Sequence, residues 1–323
     1  MTSTEIRPAL RPPRRLSIAA ARDYVVLFTF TALFVVLALS SSAFLTQTNI
    51  ANILDQQAAL GIIACGMTLV IVGGGFDLSV GAIFAISGVL AGLVANAVDP
   101  TVGMAAGVLA GLALGTVNGL LVTVLRINSF IATIATTLLI SGLTVVITGG
   151  LLVTVEDESF RNLGTGSLFS FKYTVYVLVA FVIATSILLA KTRFGSHVYA
   201  VGGNAEAARL SGVRVNAVRT ATFAISGLAA GLAGVIATSR VGTAAPDAGL
   251  GLELSAIAAV VIGGASIAGG QGTVWRSVMG VLLLALIANG FNILAINSSY
   301  QPIIQGLIII AAVAVDAWSR RSG

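Results

Sequence analysis

The sequence predicts an all-α, polytopic integral membrane protein of about ten transmembrane helices, with inverted-repeat-like halves and broken or re-entrant segments. Three observations carry this prediction. Of 323 residues, 57% are apolar and only 9% charged, against roughly 25% charged in an ordinary globular domain. Mean hydropathy is +1.03, which leaves too little polar surface to coat a soluble body. The apolar residues also fall in long runs, and about 20 consecutive residues suffice for a helix to cross a bilayer. A soluble domain, a disordered chain and a nucleic-acid binder are thereby excluded, despite a net charge of +5. A basic balance built from so few charges is what loops on the cytoplasmic side produce.

Each element follows in order. Residues 1–23 hold Arg7, Arg11, Arg14, Arg15 and Arg22 with three prolines, and read as a basic cytoplasmic tail. The run after Asp23 is too long for a cleaved signal peptide, so the first span is expected at 24–44 as a retained anchor. The transmembrane domain covers 24–318, with further spans near 51–73, 78–97, 101–125, 129–149, 173–190, 220–239, 253–268, 274–294 and 302–318. A short cytoplasmic tail, 319–323, follows. Glycine clusters at 73–75 and at 263, 264, 269 and 270 suit broken helices, which lipid tolerates only where the exposed backbone lines protein or a cavity.

Lys and Arg set the orientation. With an inside N-terminus and ten spans, 14 of the 17 basic residues lie inside and only Arg161, Lys172 and Arg240 outside. Both termini are then cytoplasmic, and the acidic stretch 156–158 is external. Two similar blocks, Leu69–Gly75 and Val260–Gly264, suggest inverted halves around a central path.

The longest inner loop is 191–219, with five basic residues. A Gly-Gly-Asn turn precedes a short helical stretch, 205–210, in which Asn204 is a natural N-cap and Gly212 a natural stop. Ala205, Ala207 and Ala208 leave a low surface that another protein could approach. On the residues alone, an ordinary solvated loop is the simpler reading.

Asp77 is the ionisable residue of most interest, because exposing such a group to lipid is costly. Its position in Gly75–Phe–Asp–Leu–Ser79 suits either a cap on a broken helix or a contact to substrate. Ser79, Asn118, Asn128, Ser129, Asn289 and Asn292 are candidates to line a polar path or to join helices, and Gly263 and Gly264 mark a helix break. Asp55 and Glu253 read as interfacial residues. The chain has one cysteine, Cys65, and one histidine, His197, so neither a disulfide framework nor a cysteine or all-histidine metal site is available. No phosphate loop is present, since neither Lys172 nor Lys191 follows a glycine. Few titratable groups fall mid-span, where an ion-coupled carrier would place them.

Five segments together resemble one family. They are 66–88 (GMTLVIVGGGFDLSVGAIFAISG), 118–150 (NGLLVTVLRINSFIATIATTLLISGLTVVITGG), the loop 191–219, 257–273 (IAAVVIGGASIAGGQGT) and 298–316 (SSYQPIIQGLIIIAAVAVD). In order and spacing they resemble the permease subunits of bacterial ATP-binding-cassette monosaccharide importers, the ribose/xylose/arabinose branch. The resemblance implies transport of a pentose or hexose through the inner membrane and no enzymatic activity of the chain itself. It implies no cofactor on this chain, with ATP bound by partner ATPase subunits. A second permease, either another copy in a homodimer or a close paralogue in a heterodimer, and a periplasmic or lipid-anchored sugar-binding protein complete the implied set. It places the ATPase contact on Gly203, Asn204, Ala207, Ala208, Ser211 and Gly212. Arg276 and Gln305 depart from the family pattern, where a small residue and a lysine are usual. Permeases of the same superfamily for branched-chain amino acids or nucleosides are the nearest alternative, and an ion-coupled carrier a more distant one.

Overall fold

A computed structural model describes residues 18–304 together with 306–308, 310 and 314. Most of the basic tail, Gln305, most of the expected last span and the tail 319–323 lie outside the described residues. Twelve α-helices are described from end to end, and residues 301–304 and 306–308, at the start of the expected last span, are helical as well. α1 is Ile18–Ser40, α2 Gln47–Val72, α3 Val80–Ala97, α4 Pro100–Thr123 and α5 Ser129–Thr148. α6 (Glu158–Thr165) is short, and α7 is Tyr173–Lys191. α8 (Arg193–Gly203) and α9 (Ala205–Leu210) lead into α10 (Val215–Val241), then α11 (Leu252–Ile262) and α12 (Val274–Ile293). Seven of these, α2, α3, α4, α5, α7, α10 and α12, are long and apolar enough to cross a membrane. Two two-residue ribbons complete the fold, β1 (Val153–Thr154) with β4 (Thr243–Ala244), and β2 (Ser167–Leu168) with β3 (Phe171–Lys172).

Local chemistry explains the helix starts. Side chains of Thr46, Asp99, Asn128, Asp157, Thr192 and Asn204 each accept from a backbone N–H of the following first turn. These are the residue types that satisfy orphan amides best. Pro100 occupies the first turn of α4, where its missing N–H costs nothing.

Packing is organised by glycine. Gly103, Gly107, Gly111, Gly115 and Gly119 fall on one face of α4, and this stripe is the buried face of that helix. A Cβ on Gly111 would lie 2.5 Å from the carbonyl oxygen of Gly227 and 2.7 Å from the Cα of Gly231. Gly115 meets Gly227 in the same way, Gly107 meets Ser87 and Val235, and Gly119 meets Thr220. α4 and α10 therefore run antiparallel with their backbones in contact, and α3 closes the groove through Ser87, Ala91 and Ala95. Close backbone approach is how helices associate in lipid, where burying apolar side chains gains little over leaving them among acyl chains. The outward faces agree: Leu138 and Leu139 of α5 are each 72% exposed and Val146 is 78% exposed.

Several expectations change in detail. α1 begins at Ile18, ahead of the expected start at Tyr24. The segment expected as one loop, 191–219, contains two helices and ends early, because α10 starts at Val215 and includes Arg219. Gly202 and Gly203 are the last turn of α8 and form no separate turn. The span expected at 253–268 is helical only to Ile262. Eleven residues reach about 16 Å, roughly half of a hydrocarbon core, so this is a half-helix followed by irregular backbone.

Both glycine blocks end their helices identically. Gly74 and Gly264 have φ of 79° and 86°. Gly74 N–H donates to Ile71 O and Gly75 N–H to Val70 O; Gly264 N–H donates to Val261 O and Ala265 N–H to Val260 O. This is the Schellman closure, which needs a left-handed residue and so favours glycine. The two breaks lie at the same end of the bundle, with Gly270 N–H donating to Val72 O at 2.8 Å. The helices they terminate, α2 and α11, thus run the same way, and the inverted relation expected of the halves does not extend to these blocks.

Replacing Gly111 by Ala is expected to lower the melting temperature of the purified protein, because a Cβ there must push α4 off α10. Gly142 of α5 meets nothing within 4 Å, and Gly142→Ala should leave stability unchanged or raise it by up to about 1 kcal/mol through helix propensity. A thermal melt of both variants in detergent checks the contrast.

Candidate functional site

The break between α2 and α3, residues 73–79, is the best-built polar feature among the described residues. Asp77 is fully buried at its centre. Its Oδ1 accepts from Ser79 N–H at 3.1 Å and from Ser79 Oγ at 2.5 Å, and its Oδ2 accepts from Ser226 Oγ of α10 at 2.8 Å. Asn118 of α4 donates to Ser79 Oγ at 2.7 Å. Backbone freed by the break is satisfied from α5. Phe76 N–H donates to Ser129 Oγ and Leu78 N–H to Thr133 Oγ1, each at 3.1 Å, while Thr137 Oγ1 donates to Leu78 O at 3.0 Å. Every third or fourth residue of a helix shares a face, so Ser129, Thr133 and Thr137 form a hydroxyl ladder against the unwound strand of chain.

Asp77 does not cap α3 itself, which starts at Val80 with Ser79 in the cap position and no side-chain cap bond. Its two carboxylate oxygens instead accept from Ser79 and Ser226 and tie the break to α10 in a site closed to solvent. Ser79 and Asn118 are likewise buried and engaged. Asn128 caps α5 beside the break. The remaining candidates lie elsewhere. Asn289 exchanges amide hydrogen bonds with Asn49, at 2.8 and 3.3 Å, at the opposite end of the bundle, and Asn292 is exposed near the end of α12. Gly263 and Gly264 close α11, whose following backbone returns to the first break at Gly269 and Gly270. Sequence reasoning missed Ser226, Thr133 and Thr137; the four-residue spacing of hydroxyls from Ser129 to Thr137 in an apolar run was the available signal. Asp55 is also more than interfacial. It is 6% exposed, accepts from Thr174 Oγ1 at 2.5 Å, and lies 3.6 Å from Lys172 Nζ and 3.9 Å from Arg240 Nη1.

α8 sits directly on the two breaks. A Cβ on Gly202 would approach the amide nitrogen of Gly270 at 2.6 Å and the carbonyl oxygen of Val72 more closely still. Tyr199 Oη donates to Gly272 O at 2.7 Å. Burial pushes the Tyr199 phenol above its ordinary pKa, with the charge of Arg276 pulling the other way, so it stays protonated and donating near neutral pH. α9 projects from this junction. Its cap is Asn204, whose Oδ1 accepts from Glu206 N–H and Ala207 N–H, and its end is set by Gly212 at φ 84°. Gly203, Asn204, Ala207, Ser211 and Gly212 are exposed. Ala208 is not: at 5% exposure it packs inward with Val198, Val201 and Val215. Leu210, which the sequence reading passed over, is 82% exposed at the tip.

Beside the first break opens a cavity of about 1160 Å³, lined by Gly73 to Gly75, by Thr123 and Arg126 to Ser129, and by the start of α10.

A family model described as "Branched-chain amino acid transport system / permease component" matches residues 49–313. The chain belongs to this permease family. Among its relatives, the ribose import permease protein RbsC of Bacillus subtilis is 42% identical over 287 residues, covering 88% of this chain and 89% of that protein. RbsC of Escherichia coli K12 is 40% identical over 293 residues (88% and 91%), and the L-arabinose transport system permease protein AraH of the same strain 38% over 301 (93% and 92%). No solved structure matches the chain significantly. Like these relatives, the chain is a transport component, a multi-pass membrane permease.

Asp77→Ala should strand the donors of Ser79 and Ser226 in a dry site, at about 1–3 kcal/mol for each unsatisfied group. The expected outcome is a large loss of melting temperature and yield, with Asp77→Asn retaining much of both. A fully stable Asp77→Ala protein with impaired substrate handling would instead place Asp77 on the substrate.

Proposed function

We propose that this chain is the membrane-spanning permease of an ATP-binding-cassette importer that carries a monosaccharide of the pentose or hexose class across the inner membrane. The observation that carries this reading is the identity of 38–42% to ribose and arabinose permeases over about nine-tenths of both chains. Two permease copies form the path, and a sugar-binding protein delivers cargo to the outer face. ATP is bound and hydrolysed on a partner chain. The distribution of Lys and Arg supports placing both termini and the α8–α9 end in the cytoplasm.

In this reading α9 is the coupling element. It is a capped helix whose exposed residues Ala207 and Leu210 lie between the exposed Gly203 and Asn204 on one side and Ser211 on the other, while Ala208 anchors it from beneath. Because α8 has its backbone against Val72 and Gly270, a push on α9 reaches both helix breaks without passing through a flexible linker. The chain contributes shape and mechanical connection, and no bond is made or broken on it.

The test is reconstitution. Proteoliposomes holding the permease, its ATPase and its binding protein should take up labelled ribose or arabinose only with ATP inside, and should not accumulate leucine. Uptake by the permease alone without ATP would overturn the proposal. Leu210→Asp should abolish co-purification of the ATPase, with the melting temperature of the permease unchanged, since this side chain touches little of its own protein.

A further inference from the structure

One feature of the cavity beside the first break is not explained by carriage of a neutral sugar. Arg126, Arg209, Arg214 and Arg219 all line it. They come from three places, the α4–α5 turn, α9 and the start of α10, so the cluster is made by folding and not by a run of sequence. No carboxylate is among the described lining residues. Arg209 is paired with Glu206 at 2.8 Å, on the surface of α9. Arg219 Nε is buried without a hydrogen-bond partner among the described residues. Arg126 holds a φ of 57°, a left-handed backbone that is unfavourable for a side chain of this type and that points to a site when it recurs beside other functional groups.

Four guanidinium groups around one concavity repel each other, and that repulsion is relieved by an anion. Guanidinium is the side chain best matched to phosphate, which it can bind through two parallel hydrogen bonds. Asn128, Ser129 and Asn216 add neutral polar groups to the same wall. α9 contributes Arg209 to this concave wall, while its convex exposed tip at Leu210 suits a protein partner. At about 1160 Å³ the cavity is somewhat larger than a typical small-molecule pocket of about 300–1,000 Å³ and has room for a phosphate-bearing compound.

We infer that the arginine-lined cavity at the α8–α9 end binds a phosphate-bearing anion, seated between the α4–α5 turn and the start of α10. The ligand chemistry is a phosphate group, whose source is either a soluble phosphorylated compound or the headgroup of an anionic lipid. Because the cavity is bounded by Gly73 to Gly75 on one side and by the root of α9–α10 on the other, an occupant would brace the first helix break against the α9 segment.

The experiment uses the full-length permease in nanodiscs of neutral phosphatidylcholine. Thermal stability is titrated with pyrophosphate, using chloride at matched ionic strength as control, and repeated in discs containing phosphatidylglycerol. The Arg126→Gln/Arg214→Gln double variant and the Arg126→Lys/Arg214→Lys pair are run alongside. A saturable pyrophosphate shift in neutral discs, weakened at least tenfold by the glutamine pair and largely kept by the lysine pair, supports the site with a soluble ligand. Stabilisation by phosphatidylglycerol alone, with the same dependence on the variants, supports it with a lipid ligand. If the double variant does not fold, Arg126→Gln alone gives the reading, since Arg126 lies exposed on a turn. Absence of any anion-specific stabilisation overturns the inference, as does a shift that ignores these substitutions. It is equally overturned if the glutamine pair weakens only ATPase binding, which would make the arginines a protein contact.

Discussion

Where α4 crosses α10, a glycine at every fourth position of α4 removes the side chains that would hold two helices apart, and backbone rests on backbone from Gly107 to Gly119, while Gly103 meets Ala91 and Ala95 of α3. In a membrane this contact has to come from shape, because apolar side chains gain little by leaving acyl chains. Much of the rest depends on it. α10 is fixed against α3 as well, through Gly88 and Gly234, and against α2 at Gly66. Ser226 is thereby delivered to Asp77, and Asn118 to Ser79, so the polar centre of the first break is assembled by helices that glycine allows to approach.

The same device recurs at the end of the bundle where α8 sits. Gly202 meets Val72 and Gly270, and Gly269 meets Gly74, with almost nothing but main chain between them. Such a junction has few side-chain rotamers to absorb a displacement. In the proposed coupling role, a force on α9 would be transmitted to the ends of α2 and α11 together. A broken helix is ordinarily a weak point in lipid, since its freed amides and carbonyls have no water to bond. Here the Schellman closures at Gly74 and Gly264 bond the helix ends, and the hydroxyl ladder of α5 takes up the amides of Phe76 and Leu78 and the carbonyl of Leu78 in the first break.

How much of this was legible in the sequence differs by the range of the interaction. Helix existence and caps are local, so the apolar runs marked α4 and α5 closely and Asn204 marked α9, while Asn128, read as lining a polar path, caps α5. The left-handed turns were also legible, because glycine doublets after an apolar run are their residue signature. What failed was long-range. That Gly202 and Gly203 close a helix depends on Thr192 capping α8 and on the contact with Val72, neither of which the Gly-Gly-Asn string expresses. The inward turn of Ala208 depends on Val201 and Val215 beneath it. The parallel placement of the two glycine blocks is decided by how α2 and α11 pack, and similarity between short strings carries no direction in space. The fold class and the resemblance to sugar permeases needed only composition and motif order, so both were readable at once.

The central claim is that α8–α9 and both helix breaks move as one body. Amide hydrogen exchange measured on the permease–ATPase complex, with and without ATP, tests it most directly. The account predicts that protection of residues 70–75, 199–204 and 264–272 changes together when ATP binds. A change confined to 199–212, with the amides of Gly75 and Gly270 unaffected, would contradict it.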